Sequence, residues 1–346
     1  MPNTNKPAIS VVMPVKDGER YLRMALDSVL RQSFDNFEII IVNDGSSDST
    51  AQIIASYSDP RLIVIAHSVP QGVAVSLNVG IAKARGKYVA RMDADDCCLP
   101  RRLERQFNYM EAHSNCIALG CSYYLMDEND KVLRKAYVPT SDAELRFMLL
   151  YSVPFCHPSL MYRRQVLIDN GLSYSKASGY AEDFEFLIRL SKFGDFACTC
   201  EYLFQYRTHA GGVSKAKRGI LVKDFSRVAV PHIKNMLNNQ DWCDLKLTEF
   251  VEMSASKTTF KNKKQIDDYM RIFFELVNAY IKTLESPEAV MKVKMNAAEI
   301  LFKKILIKDR FIKQPSFLLQ YMLRQDSFFK HLLAGMPNLV ARMLWY

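Results

Sequence analysis

Three carboxylates crowd into four consecutive positions, at Asp93, Asp95 and Asp96, with Arg91 as the one nearby cation. Like charges this close repel, and taking them out of water unpaired costs several kcal/mol. A bound divalent cation relieves that repulsion, because Asp oxygens are the hard ligands that Mg²⁺ and Mn²⁺ prefer. A solvated acidic turn that caps a helix opening at Leu99-Pro100 accounts for the same residues equally well. Taken alone, the stretch leaves both interpretations open.

A second acidic pair, Glu182-Asp183, precedes apolar residues at Leu187, Leu190 and Phe193. That spacing predicts a helix with the pair at its N-terminus. Carboxylates there are favoured by the helix dipole, which is a purely structural explanation. The functional alternative is a general base, which takes a proton from an attacking hydroxyl group.

The elements that carry these residues alternate between strands and helices through about residue 100. Continuous apolar runs at 9–15, 37–42, 62–66 and 87–90 predict strands that are covered on both faces. The pattern predicts a doubly wound α/β sheet, which binds ligands beyond the carboxyl ends of its strands. Polar residues lie at those ends. Neither a G-x-G-x-x-G turn nor a Walker loop is present, so nicotinamide and P-loop chemistry are not indicated.

Three motifs together resemble the family 2 glycosyltransferases: residues 12–15 (VMPV), 41–48 (IVNDGSSD) and 92–96 (MDADD). The resemblance covers about residues 8–215, and Asn78 also falls where that family places an Asn. It implies a GT-A fold, a nucleotide-diphosphate-sugar donor and a divalent metal, Mn²⁺ or Mg²⁺.

The resemblance also implies roles for residues on the donor side of the site. Pro14, Val15 and Asp17 are expected at the nucleobase end of the cleft. Asp44 is expected to accept a hydrogen bond from the base or the ribose, and Asp93 to contact the ribose.

On the metal side, the resemblance implies that Asp95 binds the cation, with Asp96 as a supporting carboxylate. Residues 206–214 (YRTHAGGVS) resemble the closing loop of the family. Arg207 and His209 can there neutralise the leaving diphosphate, and the glycines permit a lid. His209 is alternatively a metal ligand.

The family pattern assigns the general base to the Asp of the acidic pair, which is Asp183 here, with Glu182 in support. Residues 153–163 resemble a strand of the family that contains the sequence His-Pro-Ser. His157 in that strand is interpreted as a packed core residue.

The C-terminal part differs in charge from the rest of the chain. Residues 216–346 hold 22 Lys and Arg against 13 Asp and Glu, which accounts for the whole net charge of +9. Helical apolar stripes are predicted at 269–284, 290–307 and 317–333, and residues 339–346 end in Trp-Tyr. Basic amphipathic helices suit an anionic membrane surface. A helical bundle that packs on the catalytic domain or on a second subunit, as in a homo-oligomer, explains them as well.

The predicted organisation is a GT-A catalytic domain at residues 1–215 and a basic α-helical region at 216–346. No nucleic-acid partner is expected, because the positive charge comes without a recognised module. With no signal-peptide core and no spanning run, the expected location is the cytoplasm, with peripheral binding to the inner face of the cell membrane as a further possibility. The eight cysteines are then expected as free thiols.

These features predict an inverting glycosyltransferase that moves a sugar to a saccharide or lipid-linked acceptor in surface polysaccharide synthesis. The resemblance implies that the sugar donor is a UDP-sugar. One alternative is a metal-dependent sugar nucleotidyltransferase, which would require a Gly-rich loop containing a Lys after the first strand. Residues 16–20 (KDGER) match that loop poorly. The other alternative is a non-catalytic scaffold subunit that binds the nucleotide-sugar.

Overall fold

The structure is a computed structural model that describes residues 6–212, 217–238, 242–255 and 260–301. Two compact units are present. The first consists of Met1–Leu149 and Val153–Val228, and the second of Leu150–Ser152 and Ala229–Tyr346. The division falls 13 residues after the predicted functional boundary at residue 215, which stays a prediction.

Within the described residues of the first unit, nine strands form one mixed sheet. In chain order the strands are β1 (Ile9–Val15), β2 (Phe37–Asn43), β3 (Leu62–Ala66), β4 (Tyr88–Arg91), β5 (Cys97–Cys98), β6 (Cys116–Met126), β7 (Val132–Ala136), β8 (Met161–Arg163) and β9 (Asp195–Arg207). Every residue of β1 and β2 is buried, as expected of apolar strands with helices on both faces.

The sheet has the order β3-β2-β1-β4-β8-β6-β9-β5, and β7 pairs with β6 outside this path. The first four strands along this order are parallel, so β1, β2 and β4 end at the same edge. Antiparallel β8 then joins β4 to β6, and β6 runs parallel to β9. The sequence predicted the α/β class and the first four strands, whereas the insertion of β8 beside β4 depends on a long-range contact.

Helices cover both faces of this sheet. They are α1 (Leu22–Leu30), α2 (Thr50–Ala55), α3 (Val73–Lys83), α4 (Arg102–Ala112), α5 (Asp142–Leu149), α6 (Arg164–Asp169) and α7 (Glu182–Leu190). On α1 the buried residues are Leu22, Ala25, Leu26 and Val29, which is a helical stripe facing the core.

The helix predicted to open at Leu99-Pro100 is α4, which begins at Arg102, after Cys97–Cys98 has paired with β9. One local prediction was wrong. The predicted strand at 153–163 is a 3₁₀ turn at His157–Ser159 followed by the short strand β8. Pro158 in this turn lacks a backbone N–H and so cannot donate to a neighbouring strand.

The second unit is helical in its described parts. Helix α8 (Arg218–Leu237) crosses the division between the units, and α9 (Asp244–Ala255), α10 (Lys263–Ile281) and α11 (Pro287–Leu301) follow. Aromatic rings form the core of this unit, with Tyr151 5.8 Å from Phe250 and 5.9 Å from Phe273, centroid to centroid.

The helices predicted at 269–284 and 290–307 correspond to α10 and α11 where the structure describes them. The stripe predicted at 317–333 and the Trp-Tyr end of residues 339–346 lie outside the described residues. In the part of the chain that the structure describes, none of the helices combines the length and the apolar character needed to cross a membrane. All eight cysteines are described, and they are free thiols, as predicted.

Candidate active site

The turns that follow β1 and β2 are joined by hydrogen bonds at the shared edge of the sheet. The carboxylate of Asp17 accepts from the backbone N–H of Ser47 at 2.8 Å, and its own N–H donates to Ser46 Oγ at 2.9 Å. Asp17 adopts a φ of +49°, a conformation that Asp tolerates better than most residues. The predicted donor residue Asp17 therefore lies at this edge, where its carboxylate orders the neighbouring turn.

Pro14 and Val15 lie at the end of β1, opposite Val42 and Asn43 of β2. Both are buried, and the Val15 side chain packs in the hydrophobic core. A ligand bound beside Pro14 and Val15 would therefore contact mainly the end of strand β1. Their contact with a nucleobase stays a prediction.

Asp44 is a buried carboxylate at the end of β2. It lies 2.7 Å from His67 Nδ1 and accepts hydrogen bonds from the backbone N–H groups of Gln71 and Gly72 at 2.7 and 2.8 Å. Burial raises the pKa of Asp44, but the hydrogen bonds from His67, Gln71 and Gly72 outweigh burial and lower it. The ionised carboxylate is thus fixed beside His67. Sequence reasoning missed His67, although it directly follows β3.

The acidic stretch after β4 forms one cluster. One ligand atom from each of Asp93, Asp95 and Asp96 can be chosen so that all lie within 4.8 Å of one another. Asp96 is fully buried. Its Oδ1 accepts from the backbone N–H of Arg207 at 2.7 Å, and its Oδ2 has no hydrogen-bond partner. His209 Nε2 lies 3.0 Å from Asp95 Oδ2. The structure therefore brings together all three predicted metal-binding residues.

The charge balance of this cluster fits a divalent cation. Burial and the neighbouring Asp95 raise the pKa of both Asp93 and Asp96, because a second and third negative charge are costly there. Arg91 Nη1 lies 2.8 Å from Asp93 Oδ2 and compensates one of these charges. The unpartnered Asp96 Oδ2 and the three oxygen ligands match the donor set of Mn²⁺ or Mg²⁺.

Glu182 and Asp183 open helix α7, as predicted. Asp183 Oδ1 accepts from the backbone N–H of Phe184 at 2.7 Å, whereas Glu182 Oε2 is buried without a hydrogen-bond partner. Burial raises the pKa of Asp183. Burial and the Asp183 charge raise the pKa of Glu182 to about 7. Two carboxylates that hold protons more tightly than usual are candidates for proton transfer.

The two acidic centres act on each other. Asp93 raises the pKa of both Glu182 and Asp183, and Arg91 lowers the pKa of both. Such interactions require the groups to be close in a common low-dielectric region. The two centres are therefore electrostatically coupled, although more than eighty residues separate them in the chain.

Aromatic and imidazole side chains pack beside these centres. His157 Nε2 lies 2.9 Å from the Tyr174 hydroxyl, which lies 3.2 Å from the Tyr162 hydroxyl. Burial and nearby Arg91 lower the pKa of His157 far below its usual value, so it is neutral. The interpretation of His157 as a packed core residue is confirmed. Asn78 fixes this region, because its side chain exchanges two 2.8 Å hydrogen bonds with the backbone of Tyr174.

Arg207 occupies a different position from the one expected of a diphosphate ligand. Its side chain is completely buried, and Nε donates to the backbone carbonyl of Asp95 at 2.7 Å. Its direct contact with a donor stays a prediction. Val213 and Ser214, in the second half of the predicted closing loop, lie outside the described residues.

Comparisons with known proteins agree with this architecture. A family model described as "Glycosyl transferase family 2" matches residues 10–171. An uncharacterized glycosyltransferase of Haemophilus influenzae is 30% identical over 292 residues, covering 81% of this chain and 89% of that protein. The O-antigen biosynthesis glycosyltransferase WbnJ of Escherichia coli is 30% identical over 190 residues, covering 53% of this chain and 71% of that protein.

Two solved structures share the fold at low sequence identity. S. aureus TarS 1-349 in complex with UDP-GlcNAc aligns with a TM-score of 0.58 at 18% identity, covering 86% of this chain and 90% of that one. The mannosyltransferase PcManGT from Pyrobaculum calidifontis, in complex with GDP-Man and Mn²⁺, aligns with a TM-score of 0.52 at 16% identity, covering 88% and 83%.

The mixed sheet, the acidic turn after β4 and the second acidic pair define a glycosyltransferase of the GT-A fold, with a C-terminal helical extension. The chain belongs to glycosyl transferase family 2. The family match ends at residue 171, so Glu182, Asp183, Arg207 and His209 were located by sequence pattern and by the structure.

Proposed function

We propose that this glycosyltransferase moves a sugar from a nucleotide-diphosphate-sugar, with UDP-sugar as the expected donor, to a hydroxyl group of a saccharide or lipid-linked saccharide, with inversion at C1. The observation that carries the proposal is that Arg91 acts on two acidic centres, as the ion-pair partner of Asp93 and by lowering the pKa of Glu182 and Asp183. One, Asp93 to Asp96, is short of positive charge, and the other, Glu182-Asp183, holds protons tightly.

Asp95, Asp96 and His209 are the residues that would hold the metal, Mn²⁺ or Mg²⁺. When bound, such a cation supplies Lewis-acid stabilisation of the leaving diphosphate. PcManGT, the structural neighbour described with Mn²⁺, supports this assignment by analogy. The edge formed by Asp17 and Asp44 is the proposed nucleobase end, with Asp93 near the ribose.

Asp183 is the proposed general base. Its position at the first turn of α7 keeps one carboxylate oxygen on the Phe184 N–H and leaves the other available to an acceptor hydroxyl. The raised pKa makes the carboxylate a stronger base than a free Asp, and Arg91 limits that rise. Glu182, whose own pKa is raised by burial and by the Asp183 charge, is the proposed supporting carboxylate. Attack from the face opposite the nucleotide converts an α-linked donor into a β-linked product.

Surface polysaccharide assembly is the proposed setting. WbnJ, named for O-antigen biosynthesis, and TarS with UDP-GlcNAc support a saccharide acceptor and a UDP-sugar donor by analogy alone. Peripheral binding to an anionic membrane through residues 216–346 would bring a lipid-linked acceptor to the enzyme. The concentration of the whole +9 charge in that region and the exposed Met291 and Met295 of α11 support this. A homo-oligomer stays a prediction.

The test is a donor panel. The purified chain is incubated with UDP-, GDP- and dTDP-sugars, Mn²⁺ and saccharide acceptors, and the released nucleotide and the anomeric configuration of the product are measured. Release of nucleoside diphosphate with a β-linked product from an α-linked donor is expected. Pyrophosphate release would instead indicate a nucleotidyltransferase, and donor binding without turnover would indicate a scaffold. Co-sedimentation with anionic but not zwitterionic vesicles tests the membrane contact separately.

A further inference from the structure

Arg207 is a fully buried arginine that connects three segments around the acidic cluster. Nε donates to the Asp95 carbonyl at 2.7 Å, and Nη1 donates to the Asp127 carbonyl at 2.9 Å and lies 2.6 Å from Asp130 Oδ1. Nη2 contacts Met24 Sδ in α1 at 3.4 Å. Each nitrogen of the guanidinium therefore already has a partner.

The face of the guanidinium is also occupied. It lies 4.3 Å from the ring centroid of Tyr21, and the same ring lies 5.2 Å from the ring of His209. The backbone N–H of Arg207 is used as well, since it donates to Asp96 Oδ1 at 2.7 Å. Arg207 thus contacts both residues of the Asp95-Asp96 turn, through the Asp95 carbonyl and the Asp96 carboxylate. The Tyr21 ring that stacks on Arg207 also packs beside His209.

We propose that Arg207 is a positioning residue that fixes the Asp95-Asp96 turn and thereby sets the affinity of the site for a divalent cation, instead of contacting the donor diphosphate. This inference rests on the proposed function, because it presumes the cation site at Asp95, Asp96 and His209. An arginine so placed acts as a second layer behind the ligands, and losing such a partner typically costs 10- to 100-fold in metal affinity.

Lysine cannot replace arginine in this role, although it keeps the charge. A single ammonium group lacks the planar fork that reaches the Asp95 carbonyl, the Asp127 carbonyl and Asp130 at once. If Arg207 instead served as a charge for the diphosphate, lysine would retain much of the function. The substitution Arg207→Lys therefore separates the two roles.

Arg20→Lys is the matched control. Arg20 lies 5.0 Å from the centroid of the same Tyr21 ring and donates to the Glu128 carbonyl of the same turn at 3.4 Å, but its side chain is exposed. It makes none of the bonds to the acidic cluster that the structure describes for Arg207. A general effect of replacing an arginine near Tyr21 and the 127–130 turn would appear in both variants.

The experiment measures binding of UDP and uridine by calorimetry in EDTA and over a Mn²⁺ series, for the wild-type protein and both variants. Arg207→Lys is expected to need about tenfold or more Mn²⁺ for the half-maximal gain in UDP affinity. Uridine affinity and UDP affinity in EDTA are expected to stay unchanged. The inference is overturned if Arg207→Lys weakens UDP in EDTA at an unchanged Mn²⁺ requirement, or if it changes neither quantity.

Hydrogen exchange keeps the test independent of the nucleotide. Peptides that cover residues 93–99 and 125–131 are expected to exchange faster in Arg207→Lys than in Arg20→Lys and wild type. If the wild-type protein binds no UDP, GDP or dTDP, the proposed donor class fails, and these exchange rates alone decide the positioning role. Equal rates in the two variants would then refute it.

Discussion

Arg91 Nη1 lies 2.8 Å from Asp93 Oδ2, and the same almost entirely buried Arg91 lowers the pKa of Glu182 and Asp183. A buried cation among several carboxylates stabilises their ionised forms, and their negative charges in turn stabilise the cation. Its own pKa is raised because the Asp93 charge outweighs burial. Arg91 thus connects the predicted cation site to the predicted base.

Replacing Arg91 with Met is expected to destabilise the protein by about 3 kcal/mol, because it leaves buried carboxylates uncompensated. The acid limb of the kcat/KM profile is expected to move to higher pH, since without the cation Asp183 binds its proton more tightly. Urea unfolding and a pH–rate profile measure the two effects. Arg163→Met is the control. Arg163 donates to the Cys116 and Met110 carbonyls, so its loss lowers stability with an unmoved acid limb. An identical limb in Arg91→Met would contradict the role of Arg91.

Replacing Asp183 with Asn is expected to lower kcat by at least about 100-fold, which is the contribution typical of a general base. Donor affinity is expected to change little. The Asn oxygen can still accept from the Phe184 N–H, so α7 keeps its first turn. Turnover and calorimetric donor binding are measured for Asp183→Asn and for Glu185→Gln, two residues further along the same helix. Equal losses of binding and turnover would argue for a structural or donor-binding role of Asp183.

Replacing Glu182 with Gln is expected to stabilise the protein at high pH only. The folded-state pKa of about 7 lies above the ordinary value of 4.5, so the folded chain binds a proton that the unfolded chain has released. The stability that Glu182 contributes is therefore present below pH 4.5 and lost as the pH rises through about 7. Gln stays neutral and avoids this loss.

Thermal unfolding in EDTA should show a Tm for Glu182→Gln that is close to wild type at pH 5 and several degrees higher at pH 8. Glu185→Gln serves as the control, because it removes the ion pair between Glu185 and Arg189 and should lower the stability of the protein. A Tm difference for Glu182→Gln that is the same at both pH values would show that the buried carboxylate is not the cause.

Replacing Gly179 with Ala is expected to destabilise the turn that leads into Glu182-Asp183. Gly179 adopts a φ of +59°, and an added Cβ would lie 2.1 Å from Asp224 Oδ2, the oxygen that accepts from the Tyr180 N–H at 3.0 Å. Strain and the lost hydrogen bond together are expected to cost about 2–4 kcal/mol.

Gly171→Ala is the matched control for this position. Gly171 has a similar φ of +56°, but an added Cβ there would meet no atom within 4 Å. Its cost is expected to be about 1 kcal/mol, from the backbone conformation alone. Urea unfolding of both variants, together with turnover, measures the difference. Similar losses in the two variants would mean that Asp224 yields easily and does not constrain the turn.

Much of the fold followed from local sequence patterns. The bounds of β1 and β3 and the start of α7 agree with the prediction, because apolar periodicity and helix-start signals are properties of neighbouring residues. The acidic stretch at 93–96 and the pair at 182–183 were recognisable for the same reason. Polar residues that directly follow buried strands indicate a ligand site in a parallel sheet.

The contacts between distant segments were decided by the tertiary structure alone. No local sequence pattern predicts which distant residues will meet. Three contacts of this kind are the pairing of Cys97–Cys98 with β9, the placement of β8 beside β4 and the Asp44–His67 contact. Arg207 illustrates the difference most clearly. Its charge was visible in the sequence, but its burial and its bonds to Asp95, Asp127 and Asp130 depend on three turns that meet only when the sheet is assembled. The sequence determined which charges the protein carries, and folding determined which of them face each other, because long-range packing sets the distances on which electrostatic interactions depend.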